Sequence, residues 1–213
     1  MKKVLITGGN GGMALAITKA LLLAKYEVLN PSRFELNITD EDNVKEFIEA
    51  NKPDILINCA GYIHPSSIKE TSLEHWKNHF DVNITGAFLC CKHAINNDCK
   101  TIINIGSTSA FEGKKNWGAY CTSKAALLSL TETLVAEGIN CYSLNPGRTN
   151  TKMRRELFPN ENKNTLMKPE RLGKFVIKIL NKEFDLGWHI VLEKNSYYST
   201  KIKRMVNNDT KTI

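Results

Sequence analysis

Residues 3–7, Lys3-Val4-Leu5-Ile6-Thr7, make a short apolar run that stops at once in Gly8-Gly9-Asn10-Gly11-Gly12, and from Met13 the apolar spacing turns helical. A buried strand, a glycine turn and a helix in that order demand a parallel crossover, because the chain must return along the strand's face before a neighbour can pair. The same alternation runs on. β-type runs are predicted at 27–29, 54–58, 101–105, 140–144 and 188–192. Helical patterns lie between and around them, at 13–24, 41–51, 73–96, 117–137 and 169–181. Thr39 and Asp40 are candidate caps for the second helix, and Pro169 stands where a helix can begin.

Alternating strands and helices predict the α/β class: a doubly wound, Rossmann-like parallel sheet with helices on both faces. One segment breaks the pattern. Residues 30–38, with Pro31 among them, are shorter than the roughly dozen residues a crossover needs. The helix after strand two is therefore expected to be missing, and strand three to be very short or absent. With 213 residues and no linker or repeat, the chain is expected to be one domain over 1–193 with a basic tail over 194–213.

Charge narrows the class further. The formal net charge is +7, from 29 basic and 22 acidic residues, yet residues 1–151 carry 15 of each sign and the whole excess lies beyond them. A protein that coats nucleic acid stripes its charge more widely, so no nucleic-acid partner is expected. Met1-Lys2-Lys3 before a short apolar run is not a secretion signal, and no uncharged stretch approaches a bilayer span. The six cysteines show no C-x-x-C pair, and cysteines among apolar neighbours read as reduced core thiols of a cytoplasmic protein.

Two constellations carry chemistry. Gly9-x-Gly11-x-x-Ala14 has the G-x-G-x-x-G/A form and lies between a strand and a helix, where main chain and helix N-terminus can cradle a pyrophosphate. Strand two ends in Asn30, Ser32 and Arg33 in place of the carboxylate that binds the adenosine ribose of NAD. A guanidinium there suits a 2′-phosphate, which favours NADP(H) with NAD(H) possible, while Glu35 remains a ribose candidate. Tyr120 and Lys124 are i and i+4 on one helix face, and Ser107 follows the strand 101–105 at the carboxyl end of the sheet. A neighbouring ammonium lowers a phenol's pKa, and a serine hydroxyl can hold a carbonyl in line with it.

On these residues the sequence resembles the short-chain dehydrogenase/reductase (SDR) family, over residues 3 to about 193. The carriers are Thr7-Gly8-x-x-Gly11, Asn58-Cys59-Ala60-Gly61, Asp81-Val82-Asn83, Ile105-Gly106-Ser107, Tyr120-x-x-x-Lys124 and Asn145-Pro146-Gly147. The resemblance implies an NAD(P)-dependent oxidoreductase that transfers hydride to or from a carbonyl or secondary alcohol. It makes Tyr120 the general acid/base, with Lys124 on the nicotinamide ribose depressing the Tyr120 pKa. Ser107 would orient the carbonyl, and Asn83 would hold a proton-relaying water. Gly8, Asn10, Gly11, Gly12 and Met13 would receive the phosphates, with Arg33 at the adenosine ribose and Asn37 and Ile38 at the adenine. Asn58, Ala60 and Gly61 would support the sheet end and the cofactor. Pro146, Gly147 and Thr149 would lie over the nicotinamide, and Thr151 near the phosphates. The resemblance also makes 152–174 a flap over the substrate, and the helices 73–96 and 117–137 the interface of a homodimer or homotetramer.

The branch is mixed. The Ser–Tyr spacing and Asn83 look like the compact branch, whereas the glycine register and trimmed strand-two region share features with the sugar-nucleotide branch, whose substrate domain has no room here. The flap holds seven basic and three acidic residues, which points to a ketoreductase on an anionic small molecule. Alternatives are an epimerase or dehydratase of the sugar-nucleotide type and a non-catalytic NADP-sensing regulator. His75 and His79 are spaced i, i+4 but lack a third ligand nearby, so no metal is expected; His64 is read as a surface residue and Cys121 as a packing one. The tail 194–213 is expected to fray or to lie on a neighbouring subunit.

Overall fold

The structure, a computed structural model, describes residues 1–200. The elements follow in chain order: β1 (Lys3–Ile6), α1 (Gly12–Leu23), β2 (Glu27–Leu29), α2 (Glu41–Asn51), β3 (Ile55–Asn58), α3 (Leu73–Phe80), α4 (Gly86–Asn96) and β4 (Thr101–Ile105). Then come α5 (Gly118–Ala136), β5 (Cys141–Pro146), α6 (Lys152–Leu157), α7 (Glu170–Leu180), β6 (His189–Leu192) and β7 (Tyr197–Thr200). One sheet holds all seven strands in the order β2-β1-β3-β4-β5-β6-β7. It is parallel through β6, and β7 returns antiparallel on the edge.

The inner strands β1, β3, β4, β5 and β6 are buried on both faces, so each supplies two cores by alternation. Val4 and Ile6 of β1 meet Ile17 and Leu21 of α1 and Val176 of α7 on one side. Leu5 of the same strand faces Val44 and Ile48 of α2 and Cys90 and Ala94 of α4 on the other. Residues 30–40 contain only turns, as the missing crossover predicts, and α2 starts at Asp40, whose carboxylate accepts the Asn43 N–H. No helix among the described residues is long and apolar enough to cross a membrane.

Two elements differ from the sequence reading. The helix expected over 73–96 is interrupted by a π-helical turn, Asp81–Thr85, between α3 and α4. Just after it, Gly86 brings the helix close to the turn segment that replaces the lost crossover: an added Cβ there would lie 2.7 Å from Ile38 Cδ1. The chain beyond 193 also does not fray at once. Residues 194–200 turn back, Glu193 N–H donating to Ser196 O, and β7 pairs along β6. Tyr197 and Tyr198 are about half exposed on that edge, and such a polar, one-sided strand carries little apolar signal. The basic residues Lys201, Lys203, Arg204 and Lys211 of the expected tail lie outside the described residues.

Candidate active site

The carboxyl ends of β1, β3, β4 and β5 open into a cavity of about 620 Å³, with a second of about 240 Å³ beside it. Gly11, Cys59, Gly61, Tyr62 and Met153 border both, so the two form one cleft across the sheet top. This is where an open α/β sheet reverses its winding and binds ligands.

The glycine loop fixes one wall. Gly8 has φ +70°, which a side chain rarely adopts, and a Cβ on Gly9 would lie 1.9 Å from Asn30 O. The loop is thus clamped between β3 and the segment after β2, with Gly9 N–H donating to Pro31 O. Gly11 stands at the N-cap of α1 without a capping side chain, so the first-turn N–H groups at Gly12 and Met13 line the large cavity unshielded. That arrangement fits the phosphates of a dinucleotide.

Ser107, Tyr120 and Lys124 all line the same cavity. Ser107 ends the β4 approach and accepts the Ser109 N–H at 3.1 Å, which leaves its own proton to donate inward. Lys124 is almost wholly buried, and its Nζ donates to Ile105 O at 2.9 Å. One acceptor for three N–H donors leaves the ammonium underpaired. Gly61 borders the ammonium: a Cβ there would lie 3.9 Å from Nζ, an ordinary contact distance. Burial pulls the Lys124 pKa down to about 8 and pushes the Tyr120 phenol above its usual range, the Ser107 hydroxyl and the Arg154 charge pulling it part of the way back. Lys124 is not what moves the phenol here. Its Nζ lies 5.9 Å from the centroid of the Tyr120 ring and is turned to the end of β4, which corrects the expectation that it depresses the Tyr120 pKa in this state.

Most of the other expected positions also gather at the cleft. Asn10, Gly61, Pro146, Gly147, Thr149 and Thr151 line the large cavity, and Gly8, Arg33, Asn37, Ile38 and Ala60 line the small one. Arg33 is exposed and has no hydrogen-bond or ion-pair partner among the described residues. Glu35 is turned away, its carboxylate accepting the Ser32 N–H at 2.7 Å. Asn58 does not reach the cleft. It faces the α4 side of β3, where Nδ2 donates to Asn104 Oδ1 at 2.9 Å in a buried amide network. Asn83 lies in the π-turn and stays behind the wall: Oδ1 accepts Tyr62 N–H at 2.8 Å, and Nδ2 donates to Tyr62 O at 3.0 Å and to Ser123 Oγ at 2.9 Å.

The histidines complete that clamp. His79 Nδ1 lies 2.6 Å from His75 O and must carry the proton, while Nε2 accepts the His64 N–H at 3.2 Å, so the ring is neutral. His75 Nδ1 holds Tyr62 Oη at 2.7 Å, and His64 is exposed and stacks on His75. Among the described residues no three His, Cys, Asp or Glu side chains are grouped to hold a metal ion.

Residues not anticipated from sequence are Tyr62, Trp117 and Phe158, all lining the large cavity. Trp117 was open to prediction, since 117, 120 and 124 share one helix face. Of the seven basic flap residues, only Lys152 and Arg154 line the cavity.

The family profile of short chain dehydrogenases matches residues 30–162. An uncharacterized oxidoreductase of Staphylococcus saprophyticus is 32% identical over 164 residues, covering 71% of this chain and 69% of that protein. The 2-keto-3-deoxy-L-fuconate dehydrogenase of Xanthomonas campestris is 31% identical, covering 54% of this chain and 42% of the other. The 2,3-dihydro-2,3-dihydroxybenzoate dehydrogenase of Bacillus subtilis is 30% identical, with 68% and 61% covered. Among solved structures, ElxO with NADP bound superposes with a TM-score of 0.78 at 25% identity, over 91% of this chain and 96% of that one. A 4-hydroxyisoleucine dehydrogenase complexed with NADH gives 0.76 at 22%, over 91% and 97%, a likeness of fold.

Proposed function

This chain belongs to the short-chain dehydrogenase family as an oxidoreductase that works with a nicotinamide dinucleotide, and from that premise we propose that it reduces a carbonyl on a small anionic molecule, with NADPH as the preferred hydride source. The observation that carries this reading is the meeting of Ser107, Tyr120 and Lys124 in one cavity with the uncapped first turn of α1. When bound, the dinucleotide supplies the hydride.

The chain's own residues do the rest. Gly8, Gly12 and Met13 would hold phosphate through main-chain N–H groups, the Gly11 N–H being spent on Gly8 O at 2.9 Å, and Asn37 and Ile38 would border the adenine. Arg33 takes the 2′-phosphate, a role its planar fork suits and Glu35 does not contest. Tyr120 gives its phenolic proton to the carbonyl oxygen as negative charge develops there, and Ser107 donates a hydrogen bond to the same oxygen. A high phenol pKa keeps that proton available at neutral pH. Lys124, with two N–H donors free beside Ile105 O, would donate to the nicotinamide ribose. Asn83 acts from behind, fixing Tyr62 and the Gly61 main chain.

Two relatives bear names of carboxylic acid substrates, a deoxyfuconate and a dihydroxybenzoate, which supports an anionic substrate. ElxO with NADP and the 4-hydroxyisoleucine dehydrogenase with NADH support a nicotinamide dinucleotide, and the preference for NADPH rests on Arg33. We place the enzyme in the cytoplasm, where unpaired thiols stay reduced, as a homodimer or homotetramer built on α4 and α5.

NADPH and NADH oxidation, followed over aldehydes, oxo acids, keto-sugars, sugar nucleotides and acyl thioesters, tests the proposal. Tyr120→Phe is expected to lower kcat by about 10²- to 10⁴-fold while leaving NADPH binding in place. Near-normal turnover in that variant would remove the mechanism. Arg33→Ala is expected to weaken NADPH roughly 10- to 100-fold and NADH little; equal losses would remove the preference.

A further inference from the structure

The flap enters the cavity with one half-buried cation. Arg154, on α6, has its Cζ 4.3 Å from the Phe158 ring centroid and 5.7 Å from that of Trp117, and the two rings stack at 5.8 Å. Glu161 then pins one edge of the guanidinium: Nε donates to Oε2 at 2.7 Å and Nη2 to Oε1 at 2.8 Å. Arg148 donates to the same carboxylate at 3.1 Å, so Glu161 is itself fixed. An arginine offers five N–H donors on two usable edges, and this pairing consumes only the Nε/Nη2 edge. The Nη1 end has no partner among the described residues and is not among the buried unsatisfied atoms. Arg154 and Trp117 both line the large cavity, and Trp117 in turn meets the Tyr120 ring edge-on at 5.5 Å. One indole therefore separates a fixed, open guanidinium edge from the reacting phenol.

We propose that Arg154 is the specificity-determining residue of this site, its Nη1/Nη2 edge receiving the carboxylate of a small oxo or hydroxy acid whose carbon skeleton lies on Trp117. This rests on the carbonyl-reductase reading above and names the substrate class for it. The alternatives on the rim are weaker. Lys152 pairs with Glu156 at 3.8 Å, Arg148 with Glu161 and Lys114 with Glu112 at 3.3 Å; the first two are more than half exposed and the third about a third. Charges in such positions are screened and cost entropy to hold. Arg154 is only 17% exposed at its side chain and is pre-oriented by the two stacked rings beside it and by the Glu161 carboxylate, itself 15% exposed. A planar fork held at one edge offers a carboxylate two parallel hydrogen bonds with little further ordering.

The test uses the full-length protein with NADPH and a panel of oxo acids of three to eight carbons, each paired with its methyl ester. The ester keeps the carbonyl and the skeleton and loses the charge. The native protein is expected to prefer the acid in kcat/KM. Arg154→Met is expected to lower the acid-to-ester ratio by about 10- to 100-fold, mostly through KM, and Arg154→Lys, which keeps the charge without the fork, by an intermediate factor. The ratio cancels any general loss of activity, and if Arg154→Met does not fold, the lysine variant carries the test. Turnover of both probes with an unchanged ratio in the folded variant overturns the assignment and leaves the reductase reading intact. No turnover of any acid or ester by the native protein, with turnover of an aldehyde, keto-sugar, sugar nucleotide or acyl thioester, overturns the assignment alone; no turnover of any of them overturns both.

Discussion

One wall of the cleft is made of main chain and the other of side chains. On the β1–α1 side the lining is Gly11, Gly12 and Met13, with unshielded N–H groups at Gly12 and Met13, and the loop is set by Gly8 and Gly9, which admit no Cβ. On the flap side the lining is Trp117, Arg154 and Phe158, held to one another by stacking and to Glu161 by a two-pronged ion pair. Main-chain donors read what every dinucleotide shares, its phosphates, and tolerate almost no change because the backbone itself is the ligand-binding group. Side chains on a short helix over a loop can be exchanged without moving the sheet. On the reading proposed above, a chain built this way grips its cofactor at the first wall and chooses its substrate at the second.

The sharpest way to break that division is to put a methyl group on the main-chain wall. Gly9→Ala would bring a Cβ to 1.9 Å from Asn30 O and 2.4 Å from Asn30 C, and neither atom is the end of a flexible side chain. The loop or the segment after β2 must shift, and we expect a loss of about 3 kcal/mol in stability, roughly 6–12 °C in Tm. Binding of NADPH should weaken in parallel, because the α1 N–H groups move with the loop. A thermal melt within a degree or two of the native protein would mean that the loop is not clamped.

The next effect runs in the opposite direction. Lys124 is buried with a single acceptor, and burial holds its pKa at about 8 against an ordinary 10.5. Below pH 8 both folded and unfolded chains carry the proton, and the fold bears the cost of a buried ammonium. Between about 8 and 10.5 the unfolded chain binds more protons than the folded one, so stability rises with pH across that window. Lys124→Met is expected to be inactive yet more stable at pH 7 by on the order of 2 kcal/mol, and to lose the gain between pH 8 and 10.5. Urea melts of both proteins at pH 7 and pH 10 decide it. An unchanged pH slope would show that the ammonium is better solvated than its burial implies.

These two residues also show what the sequence could and could not disclose. Gly9 and Lys124 were legible because their signals are local: a glycine run after a strand, and a tyrosine and lysine one turn apart. The short segment 30–38 was legible for the same reason, since a count of residues rules out a crossover. The π-turn at Asp81–Thr85 was not, because one extra residue within a helical turn leaves no local mark in the sequence. Asn58 was misplaced because a motif gives a residue's neighbours in the chain but not which face of β3 it takes. Pairing along β7 depends on the exposed edge of β6, which no property of Tyr197 or Tyr198 announces. The flap was legible as charge and illegible as geometry, for nothing in seven cations says which two reach the cavity.

That last point gives the smallest expected effect and the finest test of the two-wall account. Lys168 and Lys174 are exposed, pair with no acidic group among the described residues and do not line the cavity, yet they make up half of the flap's excess charge. If the flap attracts anionic substrate as a diffuse field, reversing both to glutamate should raise KM for an oxo acid severalfold, with an effect that fades as salt is added. If Arg154 selects by contact, the change should stay below about twofold at physiological ionic strength, where exposed charges beyond a Debye length of about 8 Å are largely screened. We expect the second outcome. The charge excess visible in the sequence then stems mostly from residues that keep the flap solvated, and the substrate is chosen by one guanidinium edge, which composition cannot distinguish from its neighbours. A severalfold rise in KM that vanishes at high salt would instead return selection to the flap as a whole.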